Sequence, residues 1–310
     1  MRRWIRRFTV GAMLPVGQRL HGPSLQLPAP SSAGVSTCLL PETVLAAPAR
    51  TPQRLPCHLL ALTTAGHGTA EIDFTAHLCR PGTLLWVRPG QALRFSGTMD
   101  ATLVTWRRDL LRPDDVAGAP IDDPAGPGRW QLVGEDEDAI IGDVTQLAVD
   151  CERHASGRLA AALLRHQVAV LLLRIALLTT GEEPAPPHAE ARTFARFRRQ
   201  LEDGHSHSRR VEDYAARLGC SVRTLTRASL AVTGRTAKQV VDDRVALEAR
   251  RLLACTDLPV AEIGRRLGFA EPTNFGRFFH REVGTSPGAF RATATGNDEP
   301  IMPGQRASDN

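Results

Sequence analysis

The sequence predicts an α+β chain of two domains: a small antiparallel β barrel with two trailing helices, then an all-α domain. Three observations carry this. Between residues 58 and 106, short apolar or alternating runs are punctuated by Pro-Gly pairs; beyond residue 135 the apolar spacing becomes helical. Charge is also unevenly shared. Residues 1–187 hold 18 arginines and 18 acids, whereas residues 188–293 hold 19 Arg plus Lys against 12 acids. A neutral part followed by a basic part suggests a nucleic-acid-binding module appended to something else. With 310 residues, 42% hydrophobic and 23% charged, the chain can bury two cores, and wholesale disorder is excluded.

Residues 1–56 are expected to form an irregular arm. Arg2, Arg3, Arg6 and Arg7 give it a basic start, but Gly11, Pro15 and Gly17 interrupt any apolar signal-peptide run. The barrel is expected over 57–130. His58–Thr64 is an apolar run, and Ala65-Gly66-His67-Gly68 supplies turn residues. Glu71, Asp73, Thr75 and His77 then alternate with Ile72, Phe74, Ala76 and Leu78, the period of a half-buried strand. Pro81-Gly82 and Pro89-Gly90 are turns before Thr83–Val87 and Ala92–Phe95, and Ala101–Trp106 closes the series.

Two helices are expected over 135–181. Ile140, Val144, Leu147 and Cys151 recur at spacings of three and four, behind the acids of Glu135–Asp138. Ser156 is placed to cap the second, where Leu159, Ala162, Leu163, Val170, Leu173 and Leu177 share a side while Leu164, Leu171, Leu172 and Leu178 lie elsewhere. A helix apolar over more than one stripe is expected to face both its own domain and a second copy of the chain. A wholly intramolecular core helix is the alternative. Residues 182–191, containing Glu-Glu-Pro-Ala-Pro-Pro, are expected to link the domains, and 294–310 to be a disordered tail.

The second part contains a repeat. Val211–Gly219 leads through Cys220-Ser221 into Val222–Val232; Val260–Gly268 leads through Phe269-Ala270 into Glu271–Val283. Small Ala215 and Gly264 let a second helix cross closely. Gly219 and Gly268 can take the left-handed conformation that ends a helix and turns the chain, Ser221 caps the next helix, and Pro272 suits a first turn. Leu225 and Phe275 point inward at matching offsets. Arg223, Thr226 and Arg227, then Thr273, Asn274 and Arg277, lie outward. Arg and Asn are shaped for bidentate bonds to guanine and adenine in the major groove. Between the units, Thr236 to Leu253 forms a rod of ~25 Å at 1.5 Å per residue. With helix radii added, it could set two recognition helices about one duplex turn apart, ~34 Å.

Residues 192–293 resemble the DNA-binding domain of the AraC/XylS family of bacterial transcription regulators. The resemblance rests on LEARRLL at 247–253, TDLPVAEIGRRLGF at 256–269 and EPTNFGRFFHREVGTSPGAFR at 271–291, ending in the G-x-S-P-x-x-(F/Y)-R pattern at Gly284–Arg291. It implies two helix-turn-helix units reading adjacent major grooves of double-stranded promoter DNA. Carried onto this chain, the base-reading positions are Arg223, Thr224, Thr226 and Arg227, then Thr273, Asn274, Gly276 and Arg277, with Gly276 offering close approach only. Ser229 departs from the family's bulky aromatic. The first part is similar to the cupin-like effector and dimerisation domain common in that family, which implies a homodimer, a small-molecule effector, and RNA polymerase as a partner.

The cupin likeness raises an enzyme reading, but His58, His67 and His77 stand apart without an H-x-H pair, so neither a metal nor another cofactor is expected. His67 and Arg94 are candidates for an effector pocket against a surface or core role. His205-Ser206-His207 is read as solvated, and His280 as a surface or phosphate contact. Six scattered cysteines lack any CxxC pair and suit reduced thiols. Leu159–Leu178 carries Arg165, His166 and Arg174 and is not read as a membrane span. The expectation is a cytoplasmic, non-enzymatic, sequence-specific transcription regulator. Its alternative is a cupin-type sensor or enzyme with an accessory DNA-binding domain.

Overall fold

A computed structural model describes residues 29–40, 51–116, 126–154, 156–178 and 188–295. The basic N-terminal segment, most of the expected interdomain link and nearly all of the tail lie outside these. Seven antiparallel strands form one sheet: β1 (Val35–Leu40), β2 (Gln53–Arg54), β3 (His58–Ile72), β4 (Thr75–Cys79), β5 (Thr83–Val87), β6 (Ala92–Trp106) and β7 (Arg129–Gln131). Their order is β1-β6-β3-β5-β7, with β2 on β6 and β4 on β3. The two halves of β3 and β6 bury one common face. Leu59 and Ala61 meet Ala70 and Ile72, and Leu93 and Phe95 meet Ala101 and Leu103, so the sheet closes round its own core. Its other face, through Leu60, Leu62, Leu84, Trp86, Val104 and Trp106, packs on two helices, α1 (Glu135–Arg153) and α2 (Arg158–Leu177).

Several expectations are corrected here. The arm 1–56 is not wholly irregular, because Val35–Leu40 pairs residue by residue with Ala101–Trp106. Ala65–Gly68 is not a turn: β3 runs through it with a register shift between Thr63 and Ala65. Likewise 92–95 and 101–106 are halves of a single strand. The glycines serve close approach instead of reversal. A Cβ on Gly68 would sit 2.6 Å from the Ser96 carbonyl oxygen, and one on Gly97 would sit 2.7 Å from the Gly68 Cα. The reversal falls at Asp73-Phe74, inside the alternating run read as one strand, where Ile72 pairs Thr75 across a two-residue turn. Pro81-Gly82 and Pro89-Gly90 do separate strands. At α2 the N-cap is Gly157, with no side-chain cap, so Ser156 does not fill that role.

The second part is all helical: α3 (Ala189–Gly204), α4 (Val211–Leu218), α5 (Val222–Thr233), α6 (Ala237–Cys255), α7 (Val260–Arg266), α8 (Pro272–Val283) and α9 (Pro287–Ala294). Helix α3 begins inside the stretch read as linker; its Phe194, Phe197 and Leu201 are buried at helical spacing. They join Tyr214, Leu225, Val241, Val245, Leu253, Ile263, Phe275 and Phe279 in one core. Helix α6 runs through the middle with Val241, Val245 and Ala249 fully buried.

Candidate nucleic-acid interface

Each helix-turn-helix unit is built by local chemistry. In the first, Gly219 takes φ 65° and ends α4, and the Ser221 hydroxyl accepts from the Thr224 N–H at 3.0 Å to start α5. In the second, Gly268 takes φ 76° and Pro272 occupies the first turn of α8. A Cβ on Gly264 would lie 3.1 Å from that of Phe275, so the absence of a side chain lets α7 and α8 cross this closely. Between the units, Thr236 and Gln239 form a reciprocal capping box for α6. Its 19 residues make a rod of ~28 Å at 1.5 Å per residue.

The second helices of the two units, α5 and α8, present matching faces. Leu225, Ala228 and Ser229 are buried on α5, as are Phe275, Phe278 and Phe279 on α8. Arg223 and Arg227 are exposed on the first, with Thr224 and Thr226 half-buried; Thr273, Asn274 and Arg277 are all exposed on the second. The side chains are not equally uncommitted. The Thr224 hydroxyl lies 2.9 Å from that of Ser221, within the cap. Arg227 lies 3.6 Å from Glu190 on α3. Among the described residues no ion pair engages Arg223 or Arg277.

Sequence reasoning missed the residues that brace these helices. Arg291, at the end of the G-x-S-P-x-x-F-R pattern, donates to the Leu253 carbonyl at 3.2 Å and the Leu258 carbonyl at 2.6 Å, fastening the end of α6 to α9. Arg209 lies over the Phe269 ring at 3.6 Å and donates to the Gly268 carbonyl, pinning the second turn. His205 is not solvated: it is half-buried, 3.8 Å from Glu248, with burial the main cause of a lowered pKa. Its neighbour His207 is exposed, as is His280 on α8.

Two glycine-turned units flanking one rod are what the comparisons with known proteins also find. The chain is similar to AraC-type transcription regulators, and its second part carries a helix-turn-helix domain of that kind. The family described as "Helix-turn-helix domain" matches residues 214–293. Over 256 residues the chain is 26% identical to the arabinose operon regulatory protein of Salmonella typhimurium, covering 78% of this chain and 85% of that one. It is 25% identical over 246 residues to the HTH-type transcriptional activator RhaR of an Enterobacter species, covering 75% and 83%. It is also 34% identical over 99 residues to the transcriptional activator NphR of a Rhodococcus species, covering 32% and 29%.

In the first domain the barrel histidines do not converge. His58 stacks on Trp106 with ring centroids 4.9 Å apart and accepts the Trp86 indole N–H at 3.3 Å. Among the described residues no group of three His, Cys, Asp or Glu side chains is placed to share a metal ion. Arg94 is paired with Glu71, and neither it nor His67 lines the cleft of about 410 Å³ between the 107–112 loop and the first turns of α2.

Proposed function

We propose that this protein recognises a promoter sequence by placing α5 and α8 in adjacent major grooves. Arg223, Thr224, Thr226 and Arg227 face the first groove, and Thr273, Asn274 and Arg277 the second. The observation that carries the proposal is the repeated burial pattern, which turns both exposed faces outward from one rod. The arginine excess of residues 188–293 supplies salt-dependent attraction to phosphates, and the recognition helices supply selectivity. The test is binding of Asn274→Ala and Arg277→Ala chains to a selected site and to single-base variants of it. Each change should lose about 1–3 kcal/mol at one base position only. Equal weakening on every sequence would identify a non-specific binder.

We infer further that two copies pair through α2. The stripe Leu159, Leu163, Val170 and Leu177 is exposed, with Leu159 at 88% and Leu177 at 72%, whereas Leu164, Val168, Leu171, Leu172 and Ile175 on other faces are buried. Helix α2 is long and apolar enough to cross a membrane by length and composition, but Arg165 and Arg174 lie within it. A dimer seam in the cytoplasm accounts for both features. The effector of such a regulator, in our reading, is a small anion: Arg107, Arg112, Arg158 and Arg165 line the cleft beside α2, and although Asp109 pairs with Arg107 and Asp115 with Arg165, the arginines outnumber these acids. RNA polymerase is the partner through which the bound protein would act.

A further inference from the structure

The reversal between β3 and β4 is made by Asp73 and Phe74, at φ 49° and 68°. Two positive φ angles in a two-residue hairpin are what Asn-Gly or Asp-Gly provides without strain. A phenylalanine in the left-handed region is strained by the approach of its Cβ to the backbone, and the hairpin gains nothing from it. The return comes from across the domain boundary. The Phe74 ring meets Phe290 of α9 edge-on at 5.4 Å, and the Arg250 guanidinium of α6 lies over Phe74 at 4.3 Å.

Asp73 makes the same crossing. Its carboxylate takes both Nε and Nη2 of Arg251 on α6, at 2.8 and 2.7 Å, while the Ala92 N–H and the Gln91 amide hold its other lone pairs. Both side chains are nearly closed off from water, at 8% and 13% exposure. Burial alone would raise the Asp73 pKa, but the Arg251 hydrogen bonds and charge outweigh it and hold the carboxyl below its ordinary value. Beside this pair, Glu248 accepts from Arg54 of β2 at 2.7 Å and from Arg244 and Arg251 of its own helix. From Phe290 the ring contacts continue to Phe279 at 5.6 Å and Phe275 at 5.9 Å, the inward face of α8.

We propose that the Asp73-Phe74 turn is a docking key by which the barrel grips α6 and α9 and is energetically coupled to the second helix-turn-helix unit. The strained aromatic and the buried bidentate pair lie on one two-residue turn and address adjacent side chains of one helix, Arg250 and Arg251. An incidental touch between domains would leave the turn free to adopt its relaxed sequence and its charge in water. Any event in the barrel that shifts this turn would therefore reach the rod and the second reading helix.

The test reads the barrel alone. The described tryptophans, Trp86, Trp106 and Trp130, all lie in the first domain, so tryptophan fluorescence follows its melting. Phe275→Ala weakens the core of the DNA-binding domain. In the otherwise unaltered full-length chain it should lower the fluorescence-detected Tm by about 4 °C or more, because the docked partner is lost with it. In a Phe74→Gly background, which relaxes the turn and removes the ring, that shift should fall to less than half. Asp73→Asn, which keeps a residue at ease in the left-handed region, should reduce it similarly. A Phe275→Ala chain whose second domain fails to fold serves equally. Equal shifts in all backgrounds, or no shift in the unaltered one, would overturn the coupling; neither outcome bears on DNA recognition.

Discussion

His58 offers a direct test of how the barrel core is held. Its ring is buried, stacked on Trp106, with Nδ1 accepting the Trp86 indole proton, so the neutral ring carries its own proton on Nε2. Burial first, then the charges of Arg88 and Arg108, lower its pKa from the ordinary 6.5 to about 3. An unfolded chain binds a proton there below 6.5, while the folded one stays neutral to about 3. Stability is therefore present at neutral pH and falls as pH falls through that window. Between pH 7 and pH 5 the loss is about 2 kcal/mol, since each unit of pH below 6.5 costs close to 1.4 kcal/mol until the folded value is reached. For a domain of this size that is a fall of ~4–8 °C in Tm.

The measurement is fluorescence-detected melting at pH 7, 6 and 5, paired with a His58→Asn chain. Its amide oxygen can still accept from Trp86, but it does not titrate. The variant should be less stable at pH 7, having lost the ring stack, and its deficit should shrink by about 2 kcal/mol by pH 5. Carboxylates elsewhere titrate in both chains and cancel. A deficit constant across this range would refute the burial argument and place His58 in contact with water.

Four further outcomes follow from the geometry. Gly264→Val forces a side chain onto Phe275 and should cost about 1–3 kcal/mol of helix-detected stability by circular dichroism, abolishing selectivity of the second unit before the first. Thr236→Ala removes one half of the capping box of α6 and should cost ~1 kcal/mol in urea denaturation. Leu163→Glu with Val170→Glu, on the exposed stripe of α2, should give a monomer by sedimentation with the barrel melting unchanged. Arg291→Lys, which cannot reach both the Leu253 and Leu258 carbonyls in the same plane, should lower stability by roughly 1 kcal/mol without changing base preference.

The helical half was legible because its signals are local. Gly219, Ser221, Thr236, Gly268 and Pro272 each act within a turn of their own position, and the structure uses every one as a cap or helix end. In the barrel half, the same residue type means different things. Gly66 and Gly68 look like turn formers, but they and Gly97 occupy places where two strands approach too closely for a Cβ, a fact set by partners about 30 residues away. Asp73-Phe74 shows the converse. Nothing about an Asp-Phe dipeptide advertises a hairpin, because the groups that compensate its strain, Arg250, Arg251 and Phe290, lie in the other domain. His205 was misread for a related reason: a polar local context does not reveal that Glu248, more than 40 residues on, lies against it.

The two units are alike in outline and unlike in stiffness, and this bears on how each should read DNA. The second is filled with Phe269, Phe275, Phe278 and Phe279 in mutual ring contact, braced by Arg209 and Arg291. Where Phe278 and Phe279 stand, the first has Ala228 and Ser229, and the buried Ser229 hydroxyl turns back to the Leu225 carbonyl at 2.9 Å. Such a bond satisfies the hydroxyl but adds no apolar contact, and i−4 bonds of this kind slightly destabilise a helix. The first unit compensates by leaning on α3, through Phe194 and Phe197 in the shared core and through the Arg227–Glu190 pair on the surface. On the proposed mode of recognition, Arg227 must leave Glu190 to meet a base, whereas Arg277 has no such pair to break among the described residues. Base discrimination should accordingly be sharper beneath α8 than beneath α5. Glu190→Gln should then raise affinity at the first half of the site, by up to about threefold for one exposed ion pair, and leave the second half unchanged. An increase at both halves would assign the effect to net charge instead of to the pair.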